Sequence, residues 1–151
     1  MKKIILGLCL ITSTGIVFAG TPTHKMTVPG SVKESFRRDY PDAPVAHWKM
    51  VNGKWETSFR KMDDQDHQLM TACYDPRGHR IDTRMAVAQN TVPDKVMRRL
   101  NEKYPGSYRH NFTKIDRAGK RDLYAVKVRK QGTYRTLYMD NKGHERDYAI
   151  R

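Results

Sequence analysis

The sequence predicts an α+β fold made of two tandem units, each a short helix followed by antiparallel strands (α-β-β-β(-β)), with each helix packed on a sheet. Two observations carry this prediction. Val28-Pro29-x-x-Val32-x-x-x-Phe36-x-x-x-Tyr40-Pro41 returns as Val92-Pro93-x-x-Val96-x-x-x-Leu100-x-x-x-Tyr104-Pro105, every member displaced by 64 residues. The segments after each copy alternate apolar and polar residues with a period of two, broken by turn-forming pairs.

The first element of each unit is a helix of about ten to twelve residues, because Val32, Phe36 and Tyr40, and again Val96, Leu100 and Tyr104, fall four apart on one stripe. Pro29 and Pro93 suit the first helical turn, and Pro41 and Pro105 end the helices by driving the preceding residue out of the α region. Helices this short do not persist alone in water, so each stripe must pack on something. Trp48 and Met50, an Asn52-Gly53 turn, then Trp55, Thr57 and Phe59 read as a hairpin with one aromatic face. Leu69, Thr71 and Cys73 alternate in a third strand. Asp75-Pro76-Arg77-Gly78 turns the chain into a fourth over Arg80 to Ala86. The second unit offers strands over Phe112 to Ile115, Leu123 to Val128, Tyr134 to Met139 and Arg146 to Ile150. Turns at Arg117-Ala118-Gly119-Lys120, Gln131-Gly132 and Asp140 to Gly143 separate them. The units span 28–87 and 92–150.

The chain opens with Lys2 and Lys3, an apolar run from Ile4 that continues to Phe18, and Val17 and Ala19 placed for cleavage after Ala19. That is the layout of a secretory signal, so residues 1–19 are expected to be removed and 20–27 to form a flexible start. The run is too interrupted for a membrane anchor, and no membrane span is expected after cleavage. Removing 19 of 151 residues leaves 132, enough for one cored domain. The formal charge falls by two, from +13 to +11. Such a surplus draws anionic partners. Export makes nucleic acid an unexpected one and leaves surface polymers, lipid head groups and acidic proteins. Cys73 is the sole remaining cysteine, so no intrachain disulfide can form, and its strand context predicts burial.

The combination of Val-Pro, a helix ending in Tyr-Pro, Trp48, the Asn52-Gly53 hairpin and the Asp-x-x-Gly turn resembles the PepSY-like family, also described as beta-lactamase-inhibitor-like. These are exported bacterial proteins. The resemblance runs from about Val28 to Ile150 in both copies, although Phe112 stands in the second copy where Trp48 stands in the first. It implies two sheets joined into one concave surface, no catalytic residues, and a protein or peptide partner, with an exported hydrolase as a candidate.

No serine sits in a nucleophile elbow and no glycine-rich loop is placed to cradle phosphate. The histidines are scattered, with His79 and His144 in matching places after the two Asp-x-x-Gly turns, so no metal or other cofactor is expected. Asp63, Asp64 and Asp66 beside His67 lack the spacing of a calcium loop. Cys73 with His67 or His79 as base is a nucleophile that nothing in the sequence positions. The candidate partner-binding residues are therefore surface ones, aromatics mixed with cations on the strands: Trp48, Trp55, Lys49, Arg60, Tyr124 and Tyr134. The reading is a non-enzymatic exported binding module, with an envelope polyanion binder as the alternative.

Overall fold

A computed structural model describes residues 27–44, 47–60 and 68–148. The expected signal segment, His24 and the acidic cluster at Asp63 to His67 lie outside the described residues.

Among the described residues, seven strands form a single antiparallel sheet in chain order. Helix α1 (Gly30–Asp39) precedes β1 (His47–Val51), β2 (Lys54–Arg60), β3 (Leu69–Tyr74) and β4 (Arg80–Ala86). A 3-10 turn at Gln89–Thr91 leads to α2 (Asp94–Lys103), then β5 (Tyr108–Arg117), β6 (Leu123–Lys130) and β7 (Thr133–Asp140). The two groups of strands meet where β4 pairs with β5 through Thr83 opposite Asp116 and Met85 opposite Lys114.

Each helix is ten residues long and lies over its own strands. Val32 and Phe36 of α1 are buried against Trp55, Phe59, Ala72 and Tyr74. Val96 and Leu100 of α2 are buried against Phe112, Val126, Val128, Leu137 and Met139. Each such side chain contributes about 1.5–3 kcal/mol by leaving water, which is what holds helices too short to be stable alone. Directly paired residues share a face of the sheet, and the pairings Ala72–Thr83–Asp116 and Met85–Lys114–Tyr124–Met139 run across it. Both helices therefore cover the same face.

Three expectations need correction. Pro29 and Pro93 stand just before the helices rather than inside their first turns, because their ψ angles of 146° and 138° are extended. Strand β5 starts at Tyr108, four residues before Phe112, and carries an irregularity between His110 and Thr113 with Asn111 at φ 53°, which breaks the alternation a sequence shows. The strand expected over Arg146 to Ile150 is, among the described residues, a single bridge between Met139 and Glu145. Beyond it the chain leaves the edge, because Arg146 is held by Asp140 and Tyr148 reaches Asp82.

Candidate functional site

The face of the sheet turned away from the helices divides into two regions. Its centre is closed by the chain itself. Lys49 Nζ lies 3.3 Å from Glu56 Oε2. Arg84 bridges Glu56 and Asp82, donating to Asp82 Oδ1 at 3.1 Å. Tyr148 donates to Asp82 Oδ2 at 2.6 Å. Beside this network the rings of Tyr138 and Tyr148 pack at a tilt with centroids 4.8 Å apart and cover Ile115, Leu123 and Ala125. Burial alone would raise the carboxyl of Glu56, but the hydrogen bond and charge of Arg84, with Lys49, hold it below its usual range. On Tyr148 burial and the partner act together, so that desolvation and the bond to the Asp82 carboxylate push its hydroxyl up.

The second region is open. At the far end of β5, β6 and β7, Tyr108 pairs across to Arg129 and Arg129 to Tyr134, while His110 pairs to Lys127 and Lys127 to Thr136. These rows share the uncovered face. Tyr108 is 67% exposed and Tyr134 52%. Lys127 Nζ lies 5.2 Å and Arg129 Cζ 5.4 Å from the Tyr134 ring centroid, within cation–π range. His110 packs edge-on to Tyr134 at 5.7 Å and against Tyr108 at 5.3 Å. Its Nδ1 is buried without a hydrogen-bond partner.

Of the six partner-binding candidates Trp48, Trp55, Lys49, Arg60, Tyr124 and Tyr134, only Tyr134 belongs to this cluster. Trp55 is 4% exposed in the core under α1. Trp48 lies on the helix side, its ring edge-on to Phe36 at 5.4 Å. Tyr124 packs on the core under α2. Lys49 is tied to Glu56, and Arg60 ends β2 on the face away from the helices, at the opposite end of the strand order from Tyr134. The irregularity at Asn111 hides the strand of Tyr108 and His110 from the sequence pattern. The alternation of Lys127 and Arg129 two residues apart was the available signal.

The remaining candidates have structural roles. His79 Nδ1 meets Asp75 at 3.0 Å and His144 Nδ1 meets Asp140 at 3.3 Å, each closing its own turn. Cys73 is fully buried, and burial together with the Asp82 charge pushes its thiol up to about 11, so it stays protonated at neutral pH and is not poised as a nucleophile. Among the described residues no group of three or more metal-ligating side chains comes together, and no helix is long and apolar enough to cross a membrane.

The architecture is shared with solved proteins of low sequence identity. A BLIP-like protein from Bacteroides fragilis superposes with a TM-score of 0.68 at 18% identity, over 83% of this chain and 89% of that one. The chain has the fold of a BLIP-like protein. A DUF2874 family protein from Bacteroides ovatus gives a TM-score of 0.69 at 18% identity, over 80% and 85% of the two chains. A candidate periplasmic protein from Bacteroides eggerthii gives 0.69 at 15%, over 80% and 86%. No family model and no curated protein matches the sequence. At these identities the BLIP-like likeness concerns the fold, and the cluster around Tyr134 must be argued from its own chemistry.

Proposed function

We propose that this protein is an exported, non-enzymatic binding module of the PepSY-like type that engages a protein or peptide partner through the uncovered face of its sheet. The observation that carries the reading is the cluster of Tyr108, His110, Lys127, Arg129 and Tyr134: two exposed tyrosine rings, that of Tyr134 overlaid by two cations, on the face turned away from α1 and α2. Aromatic and arginine side chains are the residue types that dominate protein interfaces. The BLIP-like and candidate periplasmic neighbours are compatible with an inhibitor-like role outside the cytoplasm, after removal of residues 1–19. The parallel order of helix and strands in 28–87 and 92–150 supports a duplicated unit, with the partner face built mainly from the second copy.

The test is capture from the envelope of the organism that makes it, using the chain from Gly20, washed first at low and then at high salt. The wild type is expected to retain one protein through the high-salt wash, and a Lys127→Glu/Arg129→Glu variant to lose it. Equal retention by the variant would sink the assignment of the face. A second reading, an envelope polyanion binder, is favoured by the net charge. It predicts instead broad retention of acidic material that washes away with salt, since exposed charges are screened within about 8–10 Å at moderate ionic strength.

A further inference from the structure

The cluster adjoins a sheet edge that the chain itself uses as a pairing surface and then abandons. Along a strand, successive residues direct their N–H and C=O groups to opposite sides. Asp140 donates its N–H to the His144 carbonyl at 2.9 Å, and the Tyr138 carbonyl accepts from the Arg146 N–H at 2.8 Å. Asp140 and Tyr138 thus point away from β6, and so, by the same alternation, do Thr136 and Tyr134. The chain's return ends after that one rung, with Arg146 drawn to Asp140 and Tyr148 to Asp82. Among the described residues the outward main-chain groups of Thr136 and Tyr134 have no main-chain partner, and Thr133 to Thr136 are all exposed. A recess of about 310 Å³ runs beside Thr136, lined by Arg135 and Arg146 and, on the returning chain, by Glu145 and Asp147.

Within β6 and β7 the charge has one sign up to Met139, while Glu145 and Asp147 of the returning chain line the recess together with Arg135. From Leu123 to Met139 the sequence contains Lys127, Arg129, Lys130 and Arg135 and no aspartate or glutamate. None of these four forms an ion pair among the described residues, whereas Arg80, Arg84, Lys103 and Arg146 are each paired with a carboxylate. The register sets Lys127 and Arg129 on the uncovered face and Arg135, opposite Val128, on the helix face. Lys127 and Arg129 lie one strand in but reach over the Tyr134 ring toward the edge. A strand laid against β7 would therefore meet cations on both of its faces.

We propose that the free edge of β7, from Thr133 to Leu137, is a strand-addition site for an extended acidic segment of the partner. This rests on the binding-module reading and names the chemistry of what is bound. Main-chain hydrogen bonds to Tyr134 and Thr136 supply affinity, and the alternating side chains of the added strand place carboxylates toward Lys127 and Arg129 on one face and Arg135 on the other. The same cations oppose edge-to-edge pairing of two copies, which would bring like charges together.

The test uses the full chain from Gly20 and a fluorescein-labelled synthetic peptide alternating glutamate with valine, with a second peptide N-methylated on alternate amides as control. Fluorescence anisotropy is expected to show saturable binding of the first peptide and at least about tenfold weaker binding of the methylated one, which keeps its charge but cannot pair. Thr136→Pro removes an outward N–H and no bond to β6, so it should lower affinity similarly while circular dichroism is unchanged. Equal affinity for the two peptides overturns strand addition, and that comparison holds on the wild type even if Thr136→Pro misfolds. No binding of either peptide overturns the acidic occupant, while the envelope capture, with its Lys127→Glu/Arg129→Glu control, decides the wider reading separately. A dimer in sedimentation equilibrium that Thr136→Pro dissociates would give the edge to a second copy and also overturn the proposal.

Discussion

The Tyr148 hydroxyl donates to Asp82 Oδ2 at 2.6 Å, joining residues 66 positions apart across the face that the helices leave uncovered. This bond closes the line that begins at Lys49 and passes through Glu56, Arg84 and Asp82. It also sets the limit of the open surface, because the ring that makes it packs against Tyr138 over Ile115, Leu123 and Ala125.

Replacing Tyr148 by phenylalanine keeps that ring contact and removes only the bond. A hydrogen bond to a buried carboxylate is worth about 1.5–3 kcal/mol, so Tyr148→Phe should lose about 2 kcal/mol in urea denaturation. Binding at the Tyr134 cluster should be unchanged. A variant as stable as the wild type would mean that the segment is held by ring packing alone.

Arg84 neutralises two carboxylates at once, on Glu56 and Asp82. Arg84→Met leaves both without it and should cost about 3 kcal/mol at neutral pH. Its pH dependence is also specified. The Glu56 carboxyl is depressed in the folded protein, so its contribution is fully present above the ordinary carboxylate range and is lost as pH falls through and below it. Between neutral pH and about pH 3 the wild type should therefore lose more stability than Arg84→Met. Equal losses in parallel urea titrations would show that Arg84 is not what depresses Glu56.

Cys73 pairs in register with Glu56 on one side and Asp82 on the other, beneath the same network. A buried thiol pushed up to about 11 reacts slowly at neutral pH. Modification by a disulfide reagent should thus follow global unfolding, accelerating with urea in step with the loss of circular dichroism. Rapid modification of the native protein would show that the face opens locally at β3.

The parts of the fold legible in the sequence were those set by local chemistry. Val32 and Phe36, or Val96 and Leu100, announce a helix stripe by spacing, and Asn52-Gly53 announces its turn because both residues take positive φ, at 50° and 74°. The choice of sheet face was harder. Trp48 and Trp55 are the most conspicuous surface candidates in the sequence, yet register places both on the helix side, since Trp55 opposes Tyr74 and Trp48 opposes Thr57. Tyr108 and His110 were hidden by the irregularity at Asn111, and the link from Tyr148 to Asp82 depends on tertiary placement that no local pattern encodes.

The two Asp-x-x-Gly turns make the most local prediction. Gly78 has φ 90° and a Cβ there would lie 2.7 Å from the Ser31 carbonyl oxygen, while Gly143 has φ 82° and its Cβ would lie 2.6 Å from that of Lys95. Ser31 and Lys95 are each the second residue of their helix, so each turn is seated against the start of the helix of its own half. Gly132 has a similar φ of 81° but nothing within 4 Å, which separates backbone strain from contact. Gly132→Ala should cost about 1 kcal/mol, the usual penalty of a side chain in the left-handed region. Gly78→Ala and Gly143→Ala must in addition push a turn off a helix and should each cost about 3 kcal/mol. Thermal denaturation of the three variants checks this directly: comparable losses at Gly132 and Gly143 would mean that the turn can shift without cost, and that its close approach to α2 does not hold the second half together.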